Sequence, residues 1–298
     1  MPNSRQAREV LASLGVAWGG IIWGLYWIPL RSLDDLGFSH GWSVACFYLL
    51  PALLSLPFLL WRGAQFWNLG KNQHITCAIA AFSMALYAAS LLQTDVIRAI
   101  LFFYLTPLWG TILGRFLLKE TISISRIIAM GLAFIGLIFM VGGKTGIELR
   151  LGDIMALSAG FIWAYASVRL HEARQCHPLD LTISYSIWGA PMAAIILLAA
   201  GDAVQLPDME MISTALPWFL PFVALLMLPG VFTSLDGARH LSPGLVGILF
   251  MTEIIVGAVT AAIWAGEPVG LHEWLGLAFI LSAGFVATAG QFQLARSH

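Results

Sequence analysis

One acid stands alone near the middle of an apolar run: Glu253, in Leu249-Phe250-Met251-Thr252-Glu253-Ile254-Ile255. If that run lies in lipid, an ionised side chain there costs about 2.5–3.5 kcal/mol on insertion scales. The group must then face a partner, face water or carry a proton. Its chemistry is recognition of a cationic group such as a substrate amine, or proton relay. The plainer alternative is a neutral acid locked by a hydrogen bond between helices. No basic residue lies at similar depth, which argues against a buried ion pair.

A second polar point falls in an earlier run, at Thr106-Pro107 with Tyr104 just before it. A proline inside a helix frees the carbonyl four residues back, here that of Phe103. Freed carbonyls at membrane depth are tolerated where they line a wet cavity or are buried in protein. Ser83, Tyr87, Ser90 and Thr94 are spaced by four, three and four residues, which puts them on one helical face. Such a polar stripe lines a cavity or bonds neighbouring helices as packing glue. Trp23 and Trp163 are each flanked by small residues, and aromatic walls of this kind stack on substrate rings or on an ammonium. The candidate substrate-binding residues are therefore Trp163, Tyr104, Tyr87, Glu253, Trp23 and Ser83, with core packing as the competing role for each. Trp42, Trp61, Trp67, Trp218 and Trp264 sit where interfacial tryptophans are expected.

The elements that position these residues follow from composition. Hydrophobic residues make up 59% of 298, charged residues 10%, and the mean hydropathy is +0.84. A soluble domain carries about 25% charged residues. Crossing the hydrocarbon core takes about 20 mostly apolar residues. Runs of that kind cover 12–32, 42–61, 74–93, 97–117, 124–143, 152–170, 179–200, 216–236, 244–265 and 271–293, which predicts ten spans. Placing the N-terminus in the cytoplasm puts Arg5, Arg8, Arg62, Lys71, Arg115, Lys119, Arg126, Arg169, Arg174, Arg239 and Arg296 inside. Only Arg31, Arg98, Lys144 and Arg150 then lie outside. The positive-inside rule selects that orientation, with both termini cytoplasmic.

The chain also repeats itself. Gly20-Ile21-Ile22-Trp23-Gly24 resembles Gly160-Phe161-Ile162-Trp163-Ala164, and Gly131-Leu132-Ala133-Phe134-Ile135 recurs as Gly276-Leu277-Ala278-Phe279-Ile280. The offsets of 140 and 145 residues divide the chain into 1–145 and 146–298. Five spans per copy is an odd number, so the second copy enters the membrane from the opposite side. The expected fold is an all-α integral membrane protein of two inverted five-helix repeats, with its substrate site near the midplane between them. Aligning Glu120 with Glu267 sets Thr106 opposite Glu253. Glu120 and Glu267 have helix-end positions that suggest structural roles. Asp153 has the position of an N-cap, and Asp236 with Arg239 that of a gate or a surface pair.

Several function classes find no support. The near-zero net charge of −1 argues against a nucleic-acid partner. There is no His-Glu-x-x-His element, no Gly-x-Ser-x-Gly elbow and no phosphate-binding glycine loop, so catalysis, a metal, a cofactor and direct ATP drive are not expected. The first span shows no small-residue cleavage pattern and reads as uncleaved. Cys46, Cys77 and Cys176 read as small hydrophobes.

Taken together, the five-plus-five spans, the Gly-x-x-Trp element in spans one and six, and Lys119-Glu120 and Gly266-Glu267 after spans four and nine resemble the EamA family of the drug/metabolite transporter superfamily. Chain length and the aromatic first span look most like the YddG-type amino-acid exporters. The resemblance implies a bacterial-type inner-membrane protein exporting aromatic and other neutral amino acids by alternating access, with the bilayer and a small-molecule substrate as partners and no required oligomer. A multidrug or organic-cation exporter of the same superfamily is the alternative.

Overall fold

In a computed structural model, residues 4–117, 124–141, 149–172, 175–202, 206–241, 243–266 and 270–296 are described. Glu120, Glu267, Lys119 and Lys144 lie outside them. The described residues are 88% helical, with no strand among them. Its helices are α1 (Ser4–Leu25), α2 (Trp27–Asp35), α3 (His40–Arg62), α4 (Ala64–Trp67), α5 (Lys71–Leu91), α6 (Val96–Phe103) and α7 (Thr106–Leu117). There follow α8 (Ile124–Val141), α9 (Leu151–Glu172), α10 (Pro178–Ala199), α11 (Met209–Pro221), α12 (Leu228–His240), α13 (Pro243–Trp264) and α14 (Leu271–Arg296).

Among the described residues, seven helical stretches are long and apolar enough to cross a membrane, running from Arg8–Asp35 to Met209–Gly237. Ile127–Gly136, Leu249–Trp264 and Leu271–Val286 are shorter apolar helices. Large apolar side chains face outward, among them Leu60 at 82%, Phe116 at 77% and Trp61 at 72% exposure. A water-soluble surface would hide these groups; a lipid-facing one presents them. The protein is a multi-pass helical membrane protein.

Three expected spans are broken, each for a local reason. Pro29 cannot bond back to Leu25, and the chain turns at Tyr26 between α1 and α2. The fourth span breaks at Tyr104-Leu105, which leaves Pro107 in the first turn of α7, where a missing N–H costs little. In the eighth, Pro217 and Pro221 precede a π-helical turn, Phe222–Met227, that joins α11 to α12. A π turn admits one extra residue and marks a bend.

Glycine decides how the helices cross. A Cβ on Gly160 of α9 would sit 2.5 Å from the Phe103 carbonyl oxygen, so α9 rests on the α6 backbone. Its repeat counterpart Gly20 of α1 rests in the same way on α13, against the Thr252 hydroxyl and 3.3 Å from the Leu249 carbonyl. Elsewhere the residues that follow the second repeated element in α8 meet its copy in α14. Gly136 of α8 packs on Gly276 and Ile280 of α14, and Phe139 stacks on Phe279 at 5.5 Å and 9°.

Polar bridges join the two parts of the chain at both ends of the bundle. Arg62 pairs with Asp180 through two bonds of 2.7 Å. Trp188 Nε1 donates to His74 Nδ1 at 3.3 Å, so the other ring nitrogen carries the hydrogen and donates to the Phe66 carbonyl at 3.2 Å. At the other end, Arg98 Nε and Nη2 bond Asp153 at 3.2 and 2.5 Å.

Candidate substrate site between the halves

The break between α6 and α7 aims Tyr104 at α13. Its hydroxyl lies 2.7 Å from Glu253 Oε2 and 3.1 Å from the Phe250 carbonyl. Glu253 is 5% exposed, and its Oε1 is buried with no hydrogen-bond partner. A buried acceptor without a donor is costly and rare in folded proteins. The carboxyl sits where three helices converge, because Gly24 of α1 lets α13 approach until a Cβ would be 2.8 Å from the Glu253 carbonyl. One phenolic hydrogen serves two acceptors here, so Tyr104 can satisfy only one of them at a time.

The aromatic candidates lie on α1, α5 and α9. Tyr87 of α5 is 1% exposed and packs on Phe103 at 4.5 Å with the rings tilted by 32°. Phe103 in turn meets Tyr104 edge-on at 5.8 Å. Trp23 is half-buried and lies 5.4 Å from Tyr26 across the α1–α2 turn. Trp163 of α9 is half-buried against the core.

The polar stripe of α5 faces α9 and bonds within the protein. Ser83 donates to the Ala159 carbonyl at 2.7 Å, beside the Gly160 crossing, and is fully buried. Ser90 bonds the Tyr87 carbonyl at 2.6 Å, and Thr94 donates to Asp153 at 2.8 Å. In this conformation Ser83 acts as packing glue rather than as a cavity hydroxyl.

Two pairings come out differently from expectation. Thr106 Oγ1 donates to the Phe103 carbonyl at 2.6 Å and approaches the Gly160 carbonyl at 3.4 Å. In α13 that pattern belongs to Thr252, bonded to Leu249 at 2.7 Å and to Ala17 of the crossing helix at 3.3 Å. Thr106 therefore answers Thr252, and Glu253 lies one residue on. The Phe103 carbonyl is covered by this hydroxyl and by α9, so it is a packed kink. Asp153 is not the N-cap either. It sits in the first turn of α9 and reaches back to the Arg150 N–H at 3.0 Å.

Sequence reasoning missed a group of tyrosines. Tyr26, Tyr48 of α3 and Tyr185 of α10 bring their hydroxyls close together, buried, with no hydrogen bond of standard geometry. Each is a single tyrosine in an apolar run, and no spacing links them. Trp27 Nε1, bonded to Thr260 at 3.0 Å, also ties α2 to α13 without a sequence signal. Among the described residues no His, Cys, Asp and Glu cluster could hold a metal ion.

Comparison with known proteins agrees with this architecture. The sequence model of the EamA-like transporter family matches residues 10–142 and again residues 150–289. The chain belongs to the EamA-like transporter family. An uncharacterized transporter of Archaeoglobus fulgidus is 26% identical over 227 residues, covering 74% of this chain and 78% of that protein. A protein crystal structure, 14% identical, superposes with a TM-score of 0.65 over 95% of this chain and 98% of its own. That likeness is one of fold. The family and this relative indicate a transporter rather than an enzyme.

Proposed function

We propose that this transporter exports amino acids, aromatic and other neutral ones, across a bacterial-type inner membrane. The observation that carries the reading is the buried Glu253 carboxyl, with one oxygen on Tyr104 and the other without a donor. A substrate ammonium supplies the missing donor. Tyr87, Trp23 and Trp163 offer the aromatic surface on which its side chain stacks, and apolar walls discriminate weakly between side chains. The twofold family match supports the division into 1–145 and 146–298 as inverted five-helix repeats. In this reading five spans per copy make ten, the placement of lysine and arginine puts both termini in the cytoplasm, and alternating access rocks one repeat against the other about Glu253.

An organic-cation exporter is the second reading. It is favoured by one observation: among the described residues no basic side chain bonds the Glu253 carboxyl, so the site matches a lone positive charge. Flux into proteoliposomes without nucleotide separates the readings. Wild-type protein should move aromatic amino acids, and Glu253→Gln should slow that flux at least about tenfold, as losing a charge-assisted contact implies. Amino-acid flux that survives Glu253→Gln while cation flux disappears assigns the acid to cations. Wild-type vesicles that move cations but no amino acid refute the first reading.

A further inference from the structure

Three phenols meet inside the bundle. Tyr26 stands at the turn between α1 and α2, Tyr48 on α3 and Tyr185 on α10. They are 1, 1 and 9% exposed, and none of their hydroxyl oxygens makes a hydrogen bond of standard geometry. Packing holds them there. Gly189 of α10 brings the Tyr48 ring against the helix backbone, where a Cβ would sit 2.6 Å from Cδ1. The Tyr48 and Tyr185 rings lie 6.5 Å apart, and Tyr26 packs on Phe47 at 4.5 Å. Three hydroxyls kept from water are costly in a core that only fills space, which phenylalanine would do as well.

The cluster neighbours the candidate substrate site. Tyr48, Tyr185 and Glu253 all fall in the middle third of their helices. Tyr87 links the two points: its hydroxyl is within electrostatic reach of both Glu253 and Tyr26, and Tyr26 is within reach of Tyr185. The order across the bundle is therefore Glu253, Tyr87, Tyr26 and the rest of the cluster. Trp23, 5.4 Å from Tyr26, adds an aromatic face beside it. Both points join the two matched segments, since Tyr26, Tyr48 and Tyr104 belong to 10–142 and Tyr185 and Glu253 to 150–289. Among the described residues no basic side chain bonds the three phenols. They therefore suit a neutral polar group better than a carboxylate, whose burial needs a counter-charge.

We propose that Tyr26, Tyr48 and Tyr185 form the far end of the substrate site, a subsite for a neutral polar group on the distal edge of an aromatic side chain: a phenol hydroxyl or an indole N–H. The inference rests on the amino-acid reading given above. The substrate ammonium meets Glu253, the ring lies along Tyr87 and Trp23, and the distal group reaches the cluster. A phenol donates to one tyrosine oxygen and accepts from another, while an indole N–H donates. Apolar walls tell side chains apart weakly, but a site that hydrogen-bonds a substrate hydroxyl rejects the analogue lacking it. The cluster thus adds selectivity at one point of an otherwise permissive site.

The test compares kcat/KM for tyrosine, phenylalanine and 4-methylphenylalanine in proteoliposomes of the full chain. The last keeps a substituent at the ring's far edge but cannot hydrogen-bond through it. Wild-type protein should favour tyrosine over both analogues at least about tenfold, as one hydrogen bond to a buried group implies. Tyr48→Phe and Tyr185→Phe should each bring the three substrates close to equality by slowing tyrosine while phenylalanine flux persists. Equal handling of the three by wild type, or a tyrosine preference that survives both variants, overturns the subsite. So does a parallel fall of all three fluxes in the variants, which would make the cluster structural. These results leave the amino-acid reading standing. A wild type that moves organic cations but no amino acid overturns that reading, and the subsite with it.

Discussion

Asp153 is fully buried and gathers its donors from three residues: Arg98 through two nitrogens, the Thr94 hydroxyl and the Arg150 N–H. Removing one partner of a buried ion pair leaves the other charge uncompensated, at a cost of about 3–5 kcal/mol. Asp153→Asn should therefore unfold at a markedly lower temperature in detergent, while Thr94→Val, which loses one neutral donor, should cost about 1 kcal/mol. Equal melting of the two variants would show that the Arg98 charge is not confined by Asp153. At Glu253 the expected change is functional. Tyr104→Phe removes the hydrogen bond to the carboxyl, about 1.5–3 kcal/mol for a charged acceptor, so the substrate KM should rise roughly ten- to hundredfold. Glu253 was legible because a lone acid in an apolar run has few excuses. Its contact with Tyr104 was not, since the direction of that side chain depends on where the fourth span breaks. The tyrosines at 26, 48 and 185 were invisible because apolar runs accept a phenol without any periodic signal.

Among the helices, the informative glycines are those pressed against another backbone. Gly160 sits on the Phe103 carbonyl, whereas a Cβ on Gly110 of α7 would meet nothing within 4 Å. Gly160→Ala should push α9 off α6 and destabilise by about 1–3 kcal/mol, as overpacking does. Gly110→Ala should be neutral or stabilising by up to about 1 kcal/mol through helix propensity. Thermal unfolding of the pair reads the difference directly, and similar losses would refute the crossing argument. The repeated Gly-x-x-Trp letters exposed the matched positions of Gly20 and Gly160. They did not disclose what each helix touches, because partner helices are distant in sequence. Apolar length likewise pointed to apolar helices but not to their breaks. Pro29 and the Pro217/Pro221 pair were readable, yet a proline ends one helix and starts another according to its neighbours. The polar stripe of α5 was seen as one face, and only packing assigned that face to α9.

At the scale of the whole molecule, the proposed topology makes a simple demand. Reporter tags fused to the N-terminus and the C-terminus should both resist protease from outside intact cells and both be cleaved after the inner membrane is opened. Opposite accessibility of the two tags would rule out an even number of spans. The proposed orientation rests on the placement of lysine and arginine, since charge bias acts before tertiary contacts exist. The register between the two repeats was less secure, because alignment by letters paired Thr106 with Glu253 where hydrogen bonding pairs it with Thr252. The matched crossings at Gly20 and Gly160 also bear on how such a bundle can move. Glycine has no rotamers to freeze, so a helix turning about these points gives up no side-chain conformational entropy there. Two such contacts, one in each copy, leave the barrier to rocking to be set by the polar bridges at the ends of the bundle. The temperature dependence of transport should then follow the breaking of Arg98–Asp153 and Arg62–Asp180 rather than the repacking of the middle.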